Sequence, residues 1–401
     1  MRGSLVLFFS VPFLACCSSN PKAAPDSQVA PAVVVQCPAG EATTDLNSPR
    51  LNTPAMSAEA VKTCLGEGSK TGSCLNQLFR GFMSNHTTGE ALALLQCYED
   101  TDDAVRLSCH PVVHAIGRET FLAKGTIDGS FALCDQTCHS GCYHGVMERF
   151  FGGDAADTGS HISLVDLQRK AVTACDPMQT SRIRFQCLHG LGHAVTYYSG
   201  YDLKEALKIC DATGDAWTRS SCYGGVFMEN ISAAEPESRD LSATDFHYPC
   251  SVLDDMYKGS CYLMQTSRMA DMGLTPFQIV SECRKAGTYL LTCMQSLGRD
   301  LSNSARIGKP REVAATCEMG LGEELSACTR GVVFALEDNT WDGKFALPFC
   351  ATYASPENVK YCFQASLAYL ASGYSKTKDD LKAECAKYAP ASPECVAGIV
   401  P

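Results

Sequence analysis

Basic residues are in the minority. The chain has 33 lysines and arginines against 44 aspartates and glutamates, a formal net charge of -11 and a pI of about 5.3. Nucleic-acid binders draw affinity from Lys and Arg clustered on phosphates, so this balance argues against that class. Long apolar runs are nearly absent. The one candidate, Leu5 to Ala15, is too short for a permanent membrane helix. No Walker loop, dinucleotide fingerprint or serine-histidine-aspartate arrangement appears. No two cysteines stand two residues apart in the manner of a zinc knuckle. The stretch "CLHGLGHAV", Cys187 to Val195, has two histidines four residues apart, but Gly190 stands where a zinc protease carries its glutamate.

What is abundant is cysteine, 24 residues of 401. That number points to an oxidising compartment. The start agrees: "MRGSLVLFFSVPFLACC" reads as a secretory signal over residues 1–16, and its end resembles a bacterial lipobox. Ala15 favours Cys16 as the acylated residue, and Leu14 favours Cys17. An ordinary secretory signal is the alternative. Residues 17–56 are rich in Pro, Ala and Ser and read as a flexible tether. The expected home is a bacterial cell envelope, with a lipid anchor in the outer membrane.

The remaining cysteines are periodic. Those at 74, 109, 142, 187, 222, 261, 293, 328, 362 and 395 follow one another at 32 to 45 residues, and each has a companion 8 to 12 residues upstream. The expected disulfides are Cys64–Cys74, Cys97–Cys109, Cys134–Cys142, Cys175–Cys187, Cys210–Cys222, Cys250–Cys261, Cys283–Cys293, Cys317–Cys328, Cys350–Cys362 and Cys385–Cys395. Cys37 and Cys138 are left to pair with each other if Cys17 is lipidated. "LKEALKIC", the break "DATGD" and "AWTRSSCYGGVFMENIS" show the unit: helix A, a turn, helix B. Thr275-Pro276, Ser355-Pro356 and Ser392-Pro393 are helix starts. A two-helix unit of this size cannot bury enough surface alone. A staple closing about 11 residues contributes on the order of 3 kcal/mol, and stacking of neighbours supplies the rest. The expected fold is all-α, a right-handed α-solenoid of about ten disulfide-linked hairpins over residues 57–401. In period it resembles tetratricopeptide and Sel1-like repeats, the latter also in its disulfide plan. The resemblance is architectural only, and the tetratricopeptide Trp-Leu-Gly-Tyr pattern is absent.

Seven of nine histidines fall between residues 110 and 193. "CHPVVHAIGRETF" gives His110 and His114, "CYHGVMERFF" gives His144 and Glu148, and "CLHGLGHAV" gives His189 and His193. Each pair is i, i+4 and shares a helix face. If successive B helices stack in parallel, these six side chains converge on a site for a divalent transition metal: Zn, Fe, Mn or Cu. His139 and Glu229 are further candidates. The layout resembles that of deoxyhypusine hydroxylase, which holds two irons with His-Glu pairs on helical repeats, without a shared motif. Any enzymatic activity would be metal-dependent, with Glu148 a ligand or general base; no catalytic residue can be named. "CDQTCH", Cys134 to His139, has a spacing that is rare for c-type haem, and the repeat assigns Cys134 to Cys142, so haem is not expected. Gly145, Gly190, Gly225 and Gly331, each three residues after a helix-B cysteine, are expected to allow close helix packing. The competing reading is a non-enzymatic scaffold with structural histidines, offering its concave face to a protein, peptide or glycan.

Overall fold

The computed structural model describes residues 56–153, 162–231 and 239–399. The signal, the lipidation site at Cys16 or Cys17, nearly all of the tether and Cys37 lie outside them. The described residues are all-α, with no strand. In order the helices are α1 (Ala58–Leu65), α2 (Thr71–Met83), α3 (Thr88–Thr101), α4 (Asp103–Leu107), α5 (Cys109–Lys124), α6 (Ile127–Phe131) and α7 (Thr137–Gly152). Then come α8 (Leu164–Ala174), α9 (Ser181–Tyr198), α10 (Leu203–Asp211), α11 (Ala216–Ile231), α12 (Asp255–Tyr262), α13 (Gln265–Asp271) and α14 (Pro276–Cys283). The chain finishes with α15 (Leu290–Arg306), α16 (Pro310–Cys317), α17 (Glu323–Thr340), α18 (Ala346–Cys350), α19 (Pro356–Gly373), α20 (Lys378–Tyr388) and α21 (Pro393–Ala397). None is long and apolar enough to cross a membrane.

Local chemistry sets the boundaries. Capping boxes open α3 (Thr87 with Glu90), α14 (Thr275 with Gln278) and α20 (Thr377 with Asp380), each satisfying orphan N–H groups of the first turn. The three expected proline starts are present at α14, α19 and α21.

Short and long helices alternate from α4 to α11 and from α14 to α19, and neighbouring long ones pack on one another. Contacts between neighbouring long helices keep a nearly constant sequence offset: 28 to 34 residues for α5 with α7, 34 to 36 for α9 with α11, and 29 to 31 for α17 with α19. Antiparallel neighbours would change offset by two at every step, so these helices run parallel. The chain also meets itself at long range. α17 packs on α7, Trp341 lies 6.5 Å from Tyr143 between ring centres, and the Arg182 guanidinium sits 4.1 Å over Trp341.

Nine of the ten expected disulfides are present, Cys64–Cys74 through Cys385–Cys395, spanning 8 to 12 residues each. The exception corrects two expectations. Cys109 pairs with Cys138, 29 residues on, and not with Cys97. Cys138 is therefore not the partner of Cys37. Cys97 is itself disulfide-bonded. The reason lies in helix A. α14, α16 and α18 end at their cysteine, whereas α3 runs one more turn past Cys97 and α4 follows. Cys109 then opens α5 beside Cys138, with a Cα separation of 5.3 Å. The unit around Cys250 also departs from the plan: residues 239–254 contain no helix A, and its long helix is split into α12 and α13.

Candidate metal centre

The site is built by α5, α7, α9 and α11, and glycine sets their spacing. A Cβ on Gly145 would stand 2.0 Å from the carbonyl oxygen of His114, and one on Gly117 2.0 Å from that of Cys142. Gly225 meets His189 at 2.0 Å and Gly192 meets Cys222 at 2.2 Å in the same way. The backbones thus approach more closely than any residue with a Cβ permits. Gly190 faces Met147 and His144 at 3.0 to 3.2 Å and brings α9 onto α7. The glycines three residues after the helix-B cysteine serve close packing, as expected.

On these helices the five imidazoles converge. Ring centres lie 4.7 Å apart for His110 and His114, 5.1 Å for His110 and His144, 5.1 Å for His144 and His189, 5.1 Å for His144 and His193, and 5.0 Å for His189 and His193. His114 and His193 are 5.9 Å apart. One ligating nitrogen from each of His110, His144 and His193 lies within 4.8 Å of the other two. His114, His144, His189 and His193 are buried, and His110 is half-buried.

The hydrogen bonds are one-sided. Nδ1 of His110 donates to the Cys138 carbonyl at 2.9 Å. Nδ1 of His114 meets Glu148 at 2.7 Å, and Nδ1 of His193 meets Glu229 at 2.9 Å. Nε2 of His144 meets Oε1 of Gln186 at 3.2 Å, and His189 bonds the Ser221 backbone. Every imidazole therefore has an acceptor on its outward nitrogen. The remaining ring nitrogens find no donor. Nε2 of His114, Nδ1 of His189 and Nε2 of His193 are buried without any hydrogen-bond partner. Nε2 of His110 faces Nδ1 of His144 at 3.3 Å. With the outward nitrogens carrying the protons, both of those atoms present lone pairs. Two nitrogens bound tetrahedrally at 2.0–2.1 Å from one zinc would stand about 3.3–3.4 Å apart. The residues present thus fit a cation held by imidazole.

Electrostatics follow from this crowding. Burial holds His110, His144 and His189 well below the usual histidine range, and neighbouring imidazoles push the same way. Burial alone would raise Glu148, but His114 and Arg118 beside it hold its carboxyl well below the ordinary value; Arg118 also pairs with it directly.

Of the residues singled out in the sequence, the structure brings together His110, His114, His144, His189 and His193. Glu148 and Glu229 sit behind the cluster, each on the outward nitrogen of a histidine. His139 stands apart: its ring centre is 6.5 Å from His110, and its Nε2 faces Arg306 at 3.2 Å. Burial, then Arg299, lowers its pKa to about 4. Sequence reading missed Gln186, Arg118 and the carbonyls of Cys138 and Ser221. Gln186 and Arg118 had a signal, since they lie three residues before His189 and four after His114. No family model matches the chain, and neither a characterised protein nor a solved structure is significantly similar to it.

Proposed function

We propose that this protein carries a histidine-only metal centre, formed by His110, His114, His144, His189 and His193 between four adjacent helices. One observation carries the reading: each imidazole has an acceptor on one nitrogen and no donor on the other, and ligating nitrogens of His110, His144 and His193 lie within 4.8 Å of one another. That is the arrangement of metal-ligating histidines and their supporting shell. Imidazole without thiolate or carboxylate in the inner shell favours Zn or Cu over Mn. Glu148 and Glu229 are orienting acceptors, and a bound metal would supply Lewis-acid or redox chemistry.

The parallel long helices and the repeated staples support a solenoid of about ten hairpins as the frame. The oxidising compartment implied by the disulfides, together with the N-terminal sequence, supports an envelope lipoprotein. Stoichiometric reconstitution with Zn²⁺ or Co²⁺, followed by elemental analysis and visible spectra, tests the centre. Wild-type protein should retain metal and give a nitrogen-ligated Co²⁺ spectrum, and H144A/H193A should retain none. A wild-type protein that retains no metal and gives no spectrum would falsify the reading.

A further inference from the structure

We infer that the Cys109–Cys138 disulfide positions the metal centre and is not a staple of the fold. This rests on the metal reading, with one test arm independent of it. The nine other disulfides between described cysteines span 8 to 12 residues each; this one spans 29 and ties the start of α5 to the start of α7. Its immediate neighbours in sequence are His110 and His139.

The backbone at its second end is unusual. Cys138, His139 and Ser140 are all left-handed, with φ of 54°, 55° and 61°. Residues with a Cβ are destabilised there, and consecutive ones are rarer still. Something must hold the stretch. Two contacts act on its side chains: the disulfide on Cys138 and Arg306 on His139. The carbonyl of Cys138, placed by this turn, is the acceptor that fixes the tautomer of His110 and turns its Nε2 toward His144. Without the bond the turn relaxes to right-handed geometry, the carbonyl leaves, and His110 loses its orientation. Formation of the bond is a thiol–disulfide exchange: an incoming disulfide oxidant accepts two electrons and two protons from the two thiols and leaves as a dithiol. Metal capacity follows that oxidation.

The test uses the full chain with C109S/C138S, and C350S/C362S as a hairpin control. Three quantities are read: helical content by circular dichroism, Zn²⁺ affinity by competition with a chromophoric chelator, and the rate of His110 carbethoxylation by diethyl pyrocarbonate, followed by peptide mass. In C109S/C138S, helical content should stand, Zn²⁺ affinity should fall at least about tenfold, the loss typical of a missing supporting contact, and His110 should react several-fold faster. Adding Ser140→Gly should recover part of both changes, because glycine takes left-handed geometry without penalty. The control should change neither. Loss of helical content in C109S/C138S would overturn the inference by making the bond a fold staple. So would a folded variant with unchanged His110 reactivity. If the wild type binds no Zn²⁺, the metal reading fails and the His110 rate alone decides whether the disulfide positions the ring.

Discussion

Arg306 at the end of α15 forms a buried ion pair with Glu99 of α3, across 207 residues of chain. Arg306 also bonds Asn339 at 2.8 Å and faces His139. It thus ties the C-terminal long helices to the wall of the imidazole cluster. Removing one partner of such a pair strands a buried charge. Arg306→Ala should therefore destabilise the protein by about 3–5 kcal/mol, read as a lower denaturant midpoint. The double variant E99Q/R306M should recover most of the loss. If R306A leaves the midpoint unchanged, the long-range closure is not a source of stability.

Gly145→Ala and Gly298→Ala separate packing from site geometry. A Cβ at either position would stand 2.0 Å from a carbonyl oxygen of the neighbouring helix, that of His114 or of Cys328. Both should destabilise, by about 3 kcal/mol or more, since backbone must shift. Gly145 lies between two of the helices that carry the cluster, α5 and α7, and Gly298 does not, so only G145A should also weaken Zn²⁺ binding. Equal loss of metal in both variants would mean that the cluster depends on global stability rather than on the α5–α7 distance.

Glu148→Gln and Glu229→Gln keep shape and remove the charge behind His114 and His193. Each should lower metal affinity by about 10- to 100-fold while leaving bound stoichiometry intact. Loss of stoichiometry would promote the carboxylates to ligands; an unchanged affinity would show that they do not orient the rings.

A second buried acid gives a pH test away from the metal. Glu337 on α17 is fully buried. Burial raises its pKa well above 4.5, and Asp338, Glu384 and Asp342 push it further, against the Ser366 hydrogen bond. Between the ordinary value and the raised native one, the folded protein keeps a proton that the unfolded chain releases. Stability therefore falls as pH rises through that window. Glu337→Gln mimics the protonated acid, so it should raise the melting temperature at pH 8 and change it little at pH 4. Equal shifts at both pH values would assign the effect to packing.

The histidines were legible because their chemistry is written in spacing. His110 and His114, and His189 and His193, share a helix face by the i, i+4 rule, and the cysteine register places those faces on adjacent helices. The outward acceptors were not legible in the same way. A carbonyl such as that of Cys138 has no side-chain signature, and its position depends on a left-handed turn that no residue type there announces. Glu148 was visible as a partner, but which ring nitrogen it meets is a matter of helix rotation. The cysteine period failed at Cys97 for a comparable reason: regular spacing does not reveal that α3 runs past its cysteine and that α4 intervenes. Around Cys250 the spacing persists although helix A does not, because the disulfide needs only two close ends and not a helix between its neighbours.

The placement of the cluster bears on how the chain acquires its structure. All five histidines and their acceptors lie between residues 110 and 229, and the bonds that frame them are local or, for Cys109–Cys138, only modestly remote. Contacts of short sequence separation form early, and those that close long loops form late. During vectorial synthesis the segment up to Ile231 can therefore arrange its imidazoles while the rest of the chain is still emerging. The Glu99–Arg306 contact must wait for α15. The order of assembly is thus histidines first and closure last, which leaves an interval in which the proposed centre is arranged but still open.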